Sequence, residues 1–438
     1  MIDEDEPHNS NQRFLAFWLL DKSSRDGSDR YLKHILAMSN VCIAVGRGRG
    51  TPALSAWDIC STLMTLVVYA PLSVLASLCT INEFRWNGIT EQISHDLLLC
   101  LGRYLPVSVI QRASDKDGTI LQQSLRYTNA SFQIAERVQR PDFAGYWVYR
   151  DSSIEARPQD ADLVLFHLHG GGYVMGHPLD NAPELLLIAE ALSRRNHTVA
   201  VFSLEYTLVP NAPLPTQLDQ ATAAYTWLTR ELKVDASKLY LIGESAGGHL
   251  IVSLLVALYQ RSLRLPPTGL PKPGAAFLIS PWVNLNPCGP DAQAQDRNLD
   301  PRSAAFKHVL ERFSVLVRHD VPLGHSELYE NFARPAAERG SWKDILPAKT
   351  WVSAGTAEPL FRFDIEEFVE SARRDGAEVR FELAEGKVHV WQSVEAREQE
   401  KDFLALVLGE DKIELMPGYR HIAELICSCL ESVPDSSA

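Results

Sequence analysis

Leu239-Tyr240-Leu241-Ile242-Gly243-Glu244-Ser245-Ala246-Gly247 decides how this chain folds. Four apolar residues lead straight into a Gly-x-Ser-x-Gly step, and a helical pattern, Ala246–Leu263, leads out of it. A serine at that junction occupies a sharp, strained turn, and small residues two positions to either side let strand and helix approach. The helix start behind it offers backbone N–H groups and a positive dipole end to developing negative charge. These features make Ser245 the candidate nucleophile of a strand–turn–helix elbow.

On both sides of the elbow, short apolar runs alternate with helical patterns. Leu163–Leu168, Val199–Leu204, Leu239–Ile242, Ala275–Ile279, Thr350–Ser353 and Val379–Leu383 are rich in Val, Leu, Ile and Phe, as strands covered on both faces are. Glu184–Arg195, Leu218–Leu232, Ala246–Leu263 and Ile365–Arg374 lie between most of them. This alternation predicts βαβ units and an α/β fold with a mostly parallel central sheet flanked by helices. Residues 286–345 break the rhythm and read as a helical and loop-like insertion over the sheet.

His169-Gly170-Gly171-Gly172 follows directly on the run Leu163–Leu168. Three glycines in succession cost conformational entropy, so a strand end that carries them needs unusual backbone geometry. Beside a serine elbow such a turn aims backbone N–H groups at an oxyanion, here those of Gly171 and Gly172, with the N–H of Ala246 completing the hole. A nucleotide loop would need a Gly-Lys-Ser/Thr ending, which is absent. His167 and His169 stand two apart, as a metal pair would. No third ligand accompanies them, and His169 reads better as a loop-fixing residue.

Together the two motifs resemble the hormone-sensitive-lipase-like branch of the α/β-hydrolases, a group of carboxylesterases and lipases. Glu205-Tyr206-Thr207-Leu208-Val209-Pro210 and the stretch to Pro215 are similar to that family's loop after the next strand, and Ser280-Pro281-Trp282 to its turn after the strand following the nucleophile helix. The resemblance covers about residues 143–410, and the apolar N-terminal extension is similar to that of fungal members. It implies the chain order serine, acid, histidine. Glu358, where the family usually has Asp, follows the run Thr350–Ser353, and Asp364 is the second choice, with a helix N-cap as its simpler explanation. His389 stands after the run Val379–Leu383 and is the implied base; Val390 follows it where the family often has Gly. The implied catalytic set is Ser245, Glu358 and His389, with no metal and no cofactor.

The implied activity is cleavage of carboxylic esters through an acyl-enzyme. Short-chain acyl, acetyl or lactone esters of lipophilic compounds, specialised metabolites or sterols all fit. An acyltransferase or cyclase using the same triad stays open, as does a ligand-binding receptor that keeps the fold without the chemistry.

A net charge of −13 argues against a nucleic-acid partner. Seven scattered cysteines form no Cys-x-x-Cys pair. The acidic start, Asp3 to Glu6, is unlike a cleavable signal peptide. Residues 59–81 carry no charge and are long enough to cross a bilayer, which takes about 20 residues. Pro71 and several Ser and Thr equally allow a buried or lid-forming helical hairpin, so membrane association, a cytoplasmic location or one at the endoplasmic reticulum membrane, and the oligomeric state stay open. Three regions are expected: an N-terminal extension, 1–140, serving as cap or membrane anchor, with a flexible joint at Gly46–Gly50 and a last helix over Thr90 to Ile110; a catalytic domain, 141–415; and a C-terminal helix and tail, 416–438.

Overall fold

The structure, a computed structural model, describes residues 54–79, 96–97, 99–113, 118–151, 157–264, 269–286, 301–336, 338–358 and 360–431. The joint expected at Gly46–Gly50 and the start of the helix expected from Thr90 lie outside the described residues.

Eight strands form one sheet in the order β1-β2-β4-β3-β5-β6-β7-β8. The six apolar runs become β3 (Leu163–Leu168), β4 (Val199–Glu205), β5 (Leu239–Glu244), β6 (Ala275–Ile279), β7 (Lys349–Gly355) and β8 (Val379–Ala384), all mutually parallel. Two antiparallel strands, β1 (Glu136–Gln139) and β2 (Ala144–Arg150), extend the β4 side. β1 lies inside the region 1–140 expected to be an N-terminal extension. Its Glu-Arg-Val-Gln is an edge strand with half its residues exposed, and therefore has no apolar run to show.

Side chains alternate across the sheet. Val164, Phe166 and Leu168 join one apolar cluster with helices α5 (Thr216–Thr226), α6 (Ala246–Arg264) and α9 (Arg362–Arg374). Leu163 and Leu165 join a second with α4 (Ala182–Ser193), α10 (Trp391–Leu404) and α11 (Pro417–Glu431). Covering both faces is what makes the parallel strands continuously apolar. The register aligns the carboxyl ends: Leu168 pairs with Gly243, Glu244 with Ile279, Ile279 with Ser353, and Gly355 with Ala384. Loops leaving β3, β5, β6, β7 and β8 therefore start at one level.

The apolar N-terminal run is continuously helical over Ala56–Cys79 rather than a hairpin. α1 (Ala56–Met64) starts on a capping box in which Ser55 Oγ accepts from the Asp58 N–H and Asp58 Oδ2 from the Ser55 N–H. It continues through a π-helical turn, Thr65–Tyr69, into α2 (Ala70–Cys79). Pro71 lacks an N–H and crowds the carbonyl four residues back. The wider turn, closed by Ala70 N–H to Thr65 O, takes it up without a break. Further on, the expected helix to Ile110 is interrupted at Leu105–Pro106 and resumes as α3 (Val107–Ala113). Gln111 on α3 donates to the carbonyls of Val174 and Val209, joining this segment to the two loops beside the elbow.

Residues 286–345 contain α7 (Pro301–Arg318) and α8 (Leu323–Tyr329). Arg312 on α7 donates to the carbonyls of Gly102 and Leu105, so the insertion and the N-terminal segment are tied to each other. A buried ion pair, Arg126 with Glu190, fastens the segment before β1 to α4.

Glu184, in the first turn of α4, is buried and its Oε2 has no hydrogen-bond partner among the described residues. Burial pushes its carboxyl up to about 8. Between the unfolded value of 4.5 and that figure the folded state binds the extra proton, so this group lowers stability as pH rises through the window. Glu184→Gln has no proton to lose. Its melting temperature relative to the parent should be more favourable at pH 8 than at pH 5, measured by thermal unfolding at both values.

Candidate active site

Ser245 has φ +51°, the left-handed turn expected of the elbow, and is held from three sides. Its N–H donates to Ile279 O, its carbonyl accepts from Trp282 N–H, and His249 N–H of α6 closes the first helical turn on the same oxygen. A Cβ on Gly247 would stand 1.9 Å from Leu168 O. Glycine there lets the end of β3 press against the start of α6.

His389 Nε2 lies 3.0 Å from Ser245 Oγ, and its Nδ1 lies 2.7 Å from Glu358 Oε2. Glu358 is buried, and its other oxygen accepts from Ser280 Oγ–H at 3.0 Å and from the Gly355 N–H. With Oε2 accepting the Nδ1 proton, Nε2 presents its lone pair to the serine hydroxyl. Ser280 Oγ in turn accepts from the Val390 N–H at 3.2 Å. Val390 has φ +49°, which explains why glycine would be common there: a β-branched residue is strained in this region. Phe361 lies flat on the His389 ring, centroids 3.9 Å apart and planes 13° apart, and restricts its rotation.

Asp364 stands apart from this chain of bonds. It lies inside the first turn of α9 rather than at its cap, and its Oδ2 accepts from Asn284 Nδ2.

The His169–Gly172 turn sits beside the elbow. Gly171 has φ +102°, and a Cβ on it would stand 2.1 Å from Met175 O, so no other residue fits. His169 fixes the loop as expected: its Nδ1 bonds Gly170 O at 2.8 Å, and its ring stacks on Tyr206 at 4.1 Å. Burial depresses its pKa to about 4, keeping the imidazole neutral. The Tyr206 hydroxyl donates back to His169 O. Tyr173 O–H donates to His249 Nδ1, whose Nε2–H donates to Tyr329 O, linking the glycine turn to the end of α8. The N–H of Ala246, at the first position of α6, has no intrahelical acceptor.

His167 and His169 do not form a metal pair, since each ring nitrogen of His167 contacts a protein group, Ser203 Oγ and Glu244 Oε2. Among the described residues, His197, Cys427 and Glu431 bring three ligand atoms within 4.8 Å of one another. His197 precedes β4, at the sheet edge opposite Ser245.

Sequence reasoning had no role for Ser280, Phe361 or Glu244. Ser280 sat in a recognised turn; the other two carry no local signal. The geometry separates the two candidate acids. Glu358→Gln should lower kcat on p-nitrophenyl acetate by about 10³–10⁴-fold, because the amide favours the wrong imidazole tautomer. Asp364→Asn, outside the bonded chain, should leave kcat within about twofold.

A family profile described as the alpha/beta hydrolase fold matches residues 165–393, more than half of the chain. An acetyl-hydrolase of Streptomyces hygroscopicus is 29% identical over 239 residues, 54% of this chain and 70% of that protein. Bovine (Bos taurus) hormone-sensitive lipase is 26% identical over 223 residues, 45% of this chain and only 29% of its own length. The solved structure of an esterase/lipase from an uncultured bacterium, 20% identical, superposes with a TM-score of 0.52 over 76% of this chain and 98% of the other, a likeness of fold. The chain belongs to the α/β-hydrolase fold family and is similar to its acetyl-hydrolase and hormone-sensitive-lipase members.

Proposed function

We propose that the protein hydrolyses small carboxylic esters of lipophilic alcohols through an acyl-enzyme on Ser245. The observation that carries this reading is the unbroken series Glu358–His389–Ser245, with contacts of 2.7 and 3.0 Å. As Ser245 Oγ bonds to the ester carbon, its proton passes to His389 Nε2. Glu358 orients the imidazole and balances its charge. The N–H groups of Gly171, Gly172 and Ala246 receive the oxyanion, each worth about 2.7–4 kcal/mol to the transition state. Collapse expels the alcohol, which takes the proton from His389. Water then repeats the sequence and releases the acid.

The pocket side supports an apolar substrate. Phe306 and Phe361 both lie beside the His389 ring, at 6.2 and 3.9 Å. A Cβ on Gly172 would meet Phe313 Cδ2 at 2.7 Å, so the α7 ring stands directly on the glycine turn. A ring so placed leaves little depth for a long acyl chain, and the acetyl-hydrolase among the relatives points the same way. The expected order of kcat/KM for p-nitrophenyl esters is acetate, then butyrate, then decanoate. A rate rising with chain length would refute the short-acyl part. Ser245→Ala should lose about 10⁴-fold or more in kcat while keeping its melting temperature. Full activity in that variant would overturn the whole reading.

We also propose that the helix Ala56–Leu75 inserts into a lipid bilayer, where such substrates partition. It is 20 residues long and only 17% of its most apolar window is buried. Trp57, Ile59, Leu63, Met64, Val67 and Leu72 are exposed, and no residue after Asp58 is charged. A helix apolar on most sides that is not covered by protein fits lipid. The full chain should float with phosphatidylcholine vesicles, and the double variant Leu63→Lys/Val67→Lys should not, since each lysine costs about 2.5–3.5 kcal/mol at a helix centre. Parent protein that stays at the bottom of the gradient would contradict it.

A further inference from the structure

One buried polar pair lies behind the candidate active site without a part in the acyl transfer. Glu244 immediately precedes Ser245, and its carboxylate reaches back to the glycine turn: Oε1 accepts from the Gly170 N–H at 3.1 Å. Its Oε2 lies 3.3 Å from His167 Nε2. His167 Nδ1 lies 2.7 Å from Ser203 Oγ, and Ser203 Oγ–H donates to Pro178 O at 2.8 Å. All five residues belong to adjoining strands β3, β4 and β5 or the loops they carry.

The hydrogen atoms can be counted. The one hydroxyl proton of Ser203 is committed to Pro178, so His167 Nδ1 must carry a proton and donate it to Ser203 Oγ. Glu244 Oε1 is occupied as an acceptor. Two bare lone pairs cannot face each other across 3.3 Å in a site from which water is excluded, so one proton lies between Nε2 and Oε2. The pair is thus joined by a complete hydrogen bond. Burial alone would raise the Glu244 carboxyl, but the His167 contacts and the Gly170 N–H outweigh it and leave it lowered. Gly170 is also packed tightly onto this side chain: a Cβ there would meet Glu244 Cγ at 3.1 Å.

One side chain therefore connects the residue before the nucleophile to the residue before the oxyanion donors. We propose that Glu244, steadied by His167, is the positioning residue that fixes the spacing between Ser245 and the N–H groups of Gly171 and Gly172. This rests on the reading of Ser245 and the glycine turn given above. The clasp works by hydrogen-bond geometry. An amide at 244 can still accept from Gly170 N–H and, with a neutral His167, donate to Nε2; an apolar side chain of similar size can do neither.

The test compares Glu244→Gln and Glu244→Leu in the full chain with p-nitrophenyl acetate, following kcat and KM separately, together with the rate of labelling by a fluorophosphonate. Glu244→Leu should lose about tenfold or more in kcat with KM little changed, somewhat less than the roughly 10²–10³-fold of removing an oxyanion donor outright, and its labelling rate should fall in step. Glu244→Gln should keep kcat within about threefold of the parent, rescue that a charge-based role would not allow. Glu190→Gln, which breaks the buried pair with Arg126, controls for lost stability: it should melt lower at unchanged kcat. Wild-type kcat in a folded Glu244→Leu protein, or equal loss in the Gln and Leu variants, would overturn the proposal. Should the Leu variant not fold, His167→Asn removes the Nε2 contact alone; a kcat several-fold lower is expected, and an unchanged one contradicts it. Activity persisting in Ser245→Ala would instead refute the underlying assignment of the nucleophile.

Discussion

Strands β3 and β5 lie side by side and parallel, with Leu168 opposite Gly243, and the carbonyl of Leu168 presses into the space that Gly247 leaves empty. That close approach is the constraint on which the site depends. It brings the glycine turn after β3 and the serine turn after β5 to the same level at the same edge. β6 adds the third side, since Glu244 pairs with Ile279 and the Ser245 N–H donates to Ile279 O. Any side chain at 247 would push β3 and α6 apart and separate Ser245 from the glycine turn. The same parallel register carries Ser280, Glu358 and His389 to that edge, each in the loop after its strand.

Much of this was legible because parallel strands covered on both faces must be apolar throughout, and all six runs that met that requirement are strands. The residues at their carboxyl ends could then be examined one strand at a time. Ser245 and the His169–Gly172 turn needed only local pattern, whereas Glu358 and His389 needed the chain order of a resembling family. What stayed hidden depends on contacts distant in sequence. Glu244 meets Gly170 across 74 positions, Ser280 meets Glu358 across 78, and Val390 meets Ser280 across 110. β2, with Tyr146, Trp147, Val148 and Tyr149, carries its strand signal in aromatic and β-branched residues rather than in an aliphatic run. Pro71 allowed either a hairpin or a continuous helix, and a single π-helical turn before it carries the helix through.

The extension before β1 and the insertion 286–345 come together above the sheet edge. Arg312 bonds two carbonyls of the N-terminal segment, Gln111 bonds the loops at Val174 and Val209, and Phe313 rests on Gly172. Two pieces far apart in the chain are thus tied to each other and to the glycine turn, and the exposed helix Ala56–Leu75 belongs to the same extension.

The central claim is that Ser245 carries the acyl group during turnover. Rapid acid quench of the protein with p-nitrophenyl acetate, followed by peptide mass spectrometry, tests it most directly. The account predicts one acetyl group per chain, confined to the peptide containing Ser245 and absent when the reaction runs to completion. Acetylation of another residue, or turnover with no acetyl-protein at any time point, would contradict it.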